Sequence, residues 1–131
     1  TDGNELAHAI LRGGVDKYGT TIPNYHYEDI WRLSKMYKEK NLKNPAVIVD
    51  ANHSNSNKQH HEQLRIVGEV LHTRKYNAEL RNLIKGVMVE SYLVEGRQDI
   101  GSHMTYGQSI TDPCIGWEDT VRLIDKIAED C

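Results

Sequence analysis

Two short apolar runs, each ending on a metal-binding type of side chain, constrain this chain more than anything else in it. The first is Val47-Ile48-Val49-Asp50-Ala51-Asn52-His53 and the second Gly86-Val87-Met88-Val89-Glu90-Ser91. A continuous apolar run is what a parallel strand covered on both faces requires, and the interval between the two suits a βα unit. A third acid follows after a loop, in Ser109-Ile110-Thr111-Asp112. Sites in parallel α/β folds collect at the C-terminal ends of strands. Taken singly, Glu90 reads as a surface carboxylate and Asp112, before Pro113, as an ordinary turn residue. A His and two acids delivered to one end of a sheet from three segments are what a divalent-cation site needs. Nitrogen plus carboxylate donors suit Mn²⁺, Fe²⁺, Co²⁺ or Zn²⁺.

The rest of the pattern alternates strand and helix. Ala7-His8-Ala9-Ile10-Leu11-Arg12 reads as a strand stopped by Gly13-Gly14. Residues 15–25, with Gly19 and Pro23, read as a loop. From about His26 the positions Ile30, Leu33 and Tyr37 repeat at helical spacing, and the helix should stop before Pro45. A strand over 46–50 follows. Ser56-Asn57-Lys58-Gln59 has the form of a capping box opening a helix that buries Leu64, Val67 and Leu71. A short helix over Ala78–Ile84 precedes a strand over 86–90, and residues 91–116 read as one long loop, of a length that is usually functional or disordered. The last helix starts near Trp117 and is expected to pack Trp117, Val121 and Ile124 into the core. The charged positions of 57–75 read as a solvated helix face, and His8, His26, His60, His61, His72 and His103 receive no role.

The order β-loop-α-β-α-β-loop-α predicts an α/β chain of parallel strands with crossover helices, about three βα units in one partial domain over 1–131. Three such units are too few to close an eight-stranded barrel. They leave two strand edges with unpaired backbone groups, so the chain should be part of something larger or a homo-oligomer or self-associating fragment. Opening on Thr1 rather than Met suggests a processed, truncated or engineered product. The 131 residues are 38% hydrophobic and 27% charged with net charge −3, so neither nucleic acid nor an anionic membrane surface is expected as a partner. No apolar stretch reaches membrane-spanning length. Two cysteines, Cys114 and Cys131, make no disulfide framework, which favours a cytoplasmic setting.

At this level of detail the chain resembles a known family. Leu11-Arg12-Gly13-Gly14, Pro23-Asn24-Tyr25, Asp50 through Gln59, Gly86 through Gly96 and Tyr106 through Asp119 are similar, in collinear order, to the C-terminal part of type I 3-deoxy-D-arabino-heptulosonate-7-phosphate (DAHP) synthases. The resemblance implies a portion of a (β/α)8 TIM barrel. It also implies a role in condensing phosphoenolpyruvate with erythrose 4-phosphate, the entry step of the shikimate pathway, with a divalent metal. By motif position the family's metal-binding residues fall on His53, Glu90 and Asp112, and its phosphoenolpyruvate-binding Arg on Arg12. Lys58 sits in a matching motif. The family's fourth ligand, a Cys, and most of its phosphate-binding residues precede the position of Thr1, and Cys114 occupies a different family position. Departures are visible at Ala51-Asn52, at Val15 and over 101–105. Without the upstream ligand and phosphate clamps, the isolated chain is expected to be inactive. Competing readings are a non-catalytic metal- or partner-binding module and the related octulosonate 8-phosphate synthases, which match less well over 11–14 and 90–96.

Overall fold

The computed structural model describes residues 3–131. Its centre is a three-stranded parallel sheet in the order β1 (Ala9–Leu11), β4 (Val47–Asp50), β5 (Ile84–Met88). Ala9, Ile10 and Leu11 pair with Val47, Ile48 and Val49, and Val49 and Asp50 pair in turn with Val87 and Met88. Around it lie helices α1 (Tyr27–Glu39), α2 (Glu62–Tyr76), α3 (Ala78–Leu83) and α4 (Trp117–Asp130). Within this sheet each parallel pair is joined by a helical crossover.

Alternation along the strands sorts the sheet into two unlike faces. Val47, Val49, Ala51 and the partly buried Ala9, Leu11, Val87 and Val89 pack against Ile30, Ile66, Val67, Val70 and Leu80 from the helices. Every one of those five helix residues is buried, and with the strand residues they make up much of the hydrophobic core. The other face presents Ile10, 48% exposed, and Met88, 42% exposed, with Ile48 between them. On this face Gly86 matters for space, since a Cβ there would come within 3.3 Å of Ile48 Cδ1. The runs therefore lack the second cover that their uniform apolarity led one to expect. Among the described residues β1 and β5 are also sheet edges.

Several expectations need correction. The segment over 15–25 is not all loop: β2 (Gly14–Val15) and β3 (Thr21–Ile22) form an antiparallel hairpin. The long loop of 91–116 contains the pair β6 (Val94–Arg97) and β7 (Gln108–Ser109). Helix α2 begins at Glu62, not near Ser56, because Asn57 and Lys58 take left-handed conformations, φ 52° and 58°, which no right-handed helix can include. Strand β5 runs two residues earlier than expected, so Glu90 lies beyond its end. In α4 the apolar stripe is read on the wrong side. Trp117 is 56% exposed and Ile124 57%, and it is Leu123 that is buried, with Ile127 partly so.

Candidate metal centre

Residues after β4 form a tight series of turns in which His53 takes a left-handed conformation, φ 48°. Non-glycine residues go there only when surrounding contacts hold them. Here the holding group is Asp50, the last residue of β4 and nearly fully buried. Its Oδ1 accepts from the Asn52 amide at 2.8 Å and its Oδ2 from His53 Nδ1 at 2.7 Å. A buried carboxylate at that distance anchors the ring through Nδ1 and turns Nε2 toward Asp112, the arrangement that orients histidine ligands in metal sites. His53 Nε2 lies 3.5 Å from Asp112 Oδ2, and Asp112 Oδ1 lies 3.5 Å from Lys58 Nζ.

Glu90 is held differently. The fully buried Gln63, on the inner face of α2, grips its backbone from both sides. Gln63 Oε1 accepts from the Glu90 amide at 2.8 Å, and Gln63 Nε2 donates to the Glu90 carbonyl at 3.1 Å. The side chain is thereby left to point away from the core. Asp112 arrives after β7, in a segment whose partner Cys114 is exchanged in backbone bonds with Gly96. One ligand atom each from His53, Glu90 and Asp112 lies within 4.8 Å of the other two. An imidazole nitrogen with its ring anchored, plus two carboxylates, is a donor set that fits a hard or borderline divalent ion.

Arg12 stands at the end of β1 and is exposed. Backbone contacts tie its neighbour to the His53 turn. Gly13 has φ +72°, and a Cβ there would come within 2.8 Å of Ser54 Cβ and 2.9 Å of the Ile22 carbonyl. The Gly13 amide donates to Asn24 Oδ1, while Asn55 donates to the carbonyls of Leu11 and Asp50 and accepts from the Asn24 amide. The ends of β1 and β4 are thus stitched together. Cys114 is buried, its thiol pushed above the ordinary range mainly by desolvation, and it does not join the three-residue cluster. Glu90, Cys114, Tyr92, Gln98 and Tyr106 line one side of an open cleft of about 640 Å³.

Two contributors were overlooked in the sequence. Asp50 stands three residues before His53, a spacing that carries no helix or strand signal. Gln63 did leave a signal: it shares the spacing of Ile66, Val67, Val70 and Leu71, so it is a polar residue on an apolar face. The histidine taken as solvated at position 26 also has a partner, with its Nδ1 2.7 Å from Glu69 Oε1. The charged face of α2 is organised too, as Arg65 reaches Glu62 at 2.7 Å and the Tyr25 hydroxyl at 2.8 Å.

A model of the DAHP synthetase I family matches residues 1–125. The chain belongs to that family. It is 47% identical over 131 residues to the phospho-2-dehydro-3-deoxyheptonate aldolase of Haemophilus influenzae, an alignment covering 98% of this chain and 34% of that enzyme. The Trp-sensitive enzyme of Escherichia coli K12 is 44% identical over 133 residues, with the same coverages. Among solved structures, the phospho-2-dehydro-3-deoxyheptonate aldolase of Francisella tularensis superposes with a TM-score of 0.85 at 37% identity, over 99% of this chain and 36% of that one. The chain spans about a third of the length of these DAHP synthetase I relatives. At that identity and TM-score the parallel α/β arrangement described above is the family's own.

Proposed function

We propose that these residues are the C-terminal part of a DAHP synthase barrel, about three βα units of a (β/α)8 fold, and carry three ligands of its divalent metal. The single observation that carries this reading is the convergence of His53, Glu90 and Asp112 from three segments within 4.8 Å, in a chain of this family. The uncovered sheet face with Ile10 and Met88 supports the partial barrel, because such a face is what a closed barrel would turn inward.

The parent activity is the condensation of phosphoenolpyruvate with erythrose 4-phosphate. A bond forms between carbon 3 of the first and the aldehyde carbon of the second, water adds at carbon 2, and phosphate leaves. When bound, the ion supplies Lewis-acid polarisation of the aldehyde oxygen. His53 would present Nε2 to it with the ring anchored by Asp50, and Glu90 and Asp112 would supply the carboxylates. Arg12 offers a planar, permanently charged fork for the carboxylate or phosphate of phosphoenolpyruvate, which a Lys could not copy. Lys58, already facing Asp112, adds a second cation for an anionic substrate.

Other parts of the reading follow from the same features. The 131 residues alone are inactive and self-associate through the strand edges and the exposed Ile10 and Met88 face. Free thiols at Cys114 and Cys131 fit a reducing, cytoplasmic compartment, and no helix among the described residues is long and apolar enough to cross a membrane.

In the intact enzyme, His53→Ala is expected to abolish metal-dependent phosphate release from the two substrates. Activity and metal affinity retained in that variant would overturn the assignment. Size-exclusion chromatography of the isolated chain should show species larger than a monomer, and a compact monomer would count against the edge argument.

A further inference from the structure

A second cluster of metal-liking groups stands apart from the first and shares no residue with it. His60 and His61 lie in the turn that leads into α2, and Glu95 lies in β6. One ligand atom from each lies within 4.8 Å of the other two. The rings of adjacent residues usually diverge, yet those of His60 and His61 come to 3.8 Å between centroids at an interplanar angle of 50°. Both are swung to the same side.

His60 Nε2 is buried and has no hydrogen-bond partner among the described residues. A buried polar nitrogen left unpartnered is destabilising, and such atoms in native structures generally meet a hydrogen-bond partner, a water or an ion. The cluster itself says which kind: the Glu95 carboxylate brings negative charge to within 4.8 Å of ligand nitrogens from both imidazoles. Tetrahedral bonds of about 2.0–2.1 Å put ligand atoms about 3.4 Å apart, a modest contraction of the present cluster.

We propose that His60, His61 and Glu95 form a second divalent-cation site, of the nitrogen-rich kind that Zn²⁺ prefers. An ion there would clip β6 to the start of α2. Glu95 already packs on Gly116 at the head of α4, where a Cβ would lie 3.5 Å from the Glu95 Cβ and amide nitrogen, so the clip would join three elements. Two imidazoles favour Zn²⁺ over Mn²⁺, whereas one imidazole with two carboxylates, as in the His53 centre, discriminates less.

The test is the number of Zn²⁺ ions bound per chain by the intact enzyme, measured by equilibrium dialysis and elemental analysis in wild type, His61→Ala, Glu95→Gln and His53→Ala. His61 and Glu95 are both exposed, so neither variant should disturb folding. The expected result is the loss of one equivalent, or at least about tenfold weaker binding of it, in His61→Ala and in Glu95→Gln. That equivalent should survive in His53→Ala, and turnover of His61→Ala with saturating Mn²⁺ should stay within twofold of wild type. Unchanged stoichiometry and affinity in both His61→Ala and Glu95→Gln would overturn the proposal. So would disappearance of the same equivalent in His53→Ala, whereas loss of activity in His53→Ala bears only on the first centre.

Discussion

The residues proposed for metal and substrate are held to two different standards. His53 and Glu90 are held by buried groups: Asp50 sets the ring of one, and Gln63 clamps the backbone of the other. Among the described residues Asp112 and Arg12, the latter proposed to hold substrate, have no such support. The ion pairs of Asp112 with His53 and Lys58 are each 3.5 Å long, beyond good hydrogen-bond length, and Arg12 is exposed. The difference is one of scaffold. Where a ligand's partner lies on β4 or α2, these residues fold it into place by themselves. Where the ligand reaches into open space, its final geometry depends on the ion, the substrate or the rest of a barrel.

Three substitutions in the intact enzyme would break or sharpen that contrast. Gln63→Leu should have the largest effect, because it strips both backbone groups of Glu90 of a buried partner. Each orphaned group costs about 1–3 kcal/mol, so denaturant unfolding should show a clear loss of stability together with weaker metal binding. Stability within about 0.5 kcal/mol of wild type would mean that Glu90 needs no clamp. Asp50→Asn comes next. It keeps the shape but no longer demands a proton on His53 Nδ1, and loss of such a partner typically weakens metal binding 10–100-fold. Titration with Mn²⁺ checks it, and a change of less than threefold would remove Asp50 from the site. Lys58→Met should be smallest. The pair with Asp112 is two-thirds exposed on the Lys side, where such contacts are worth about 0–1 kcal/mol. Metal affinity should stay within about fivefold, and a larger fall would show that the loosely held half is in fact fastened by Lys58.

A pH dependence separates the site from the far side of the molecule. Lys38, and then Ser34, hold the Glu79 carboxyl below its ordinary range. A carboxylate with a depressed folded pKa contributes stability above its unfolded pKa and loses it as pH falls through the folded value. In Lys38→Met, thermal unfolding should therefore change less between pH 7 and pH 3 than in wild type. An unaltered pH profile would show that the pair contributes nothing.

What the residues alone disclosed follows the same division between local and distant causes. The three strands were legible because the runs at 7–11, 47–49 and 86–89 are mostly apolar and bounded. His53 and Glu90 drew attention because each follows such a run, whereas Asp112 lies in a loop and only the fold brings it to them. The hairpin of β2 and β3 was missed, since two-residue strands carry no period to detect. The pair of β6 and β7 was hidden by the same brevity within a Gly-containing segment. Ser56 looked like a helix cap by pattern, but the left-handed backbone at Asn57 and Lys58 keeps the helix from starting there. The stripe on α4 was misjudged because the helix offers two apolar lines, and only packing against α2 selects the one with Leu123. Asp50 was unreadable as a partner of His53 because the left-handed turn that joins them is a product of the fold.

The most direct measurement is anomalous diffraction from crystals of the intact enzyme soaked in Mn²⁺, collected at an energy where the ion scatters strongly. One peak is expected at bonding distance, about 2.0–2.2 Å, from His53 Nε2 and from carboxylate oxygens of Glu90 and Asp112, with Asp50 still on Nδ1. A peak that lacks His53, or one bonded through Nδ1 with Asp50 turned away, would contradict the centre described above.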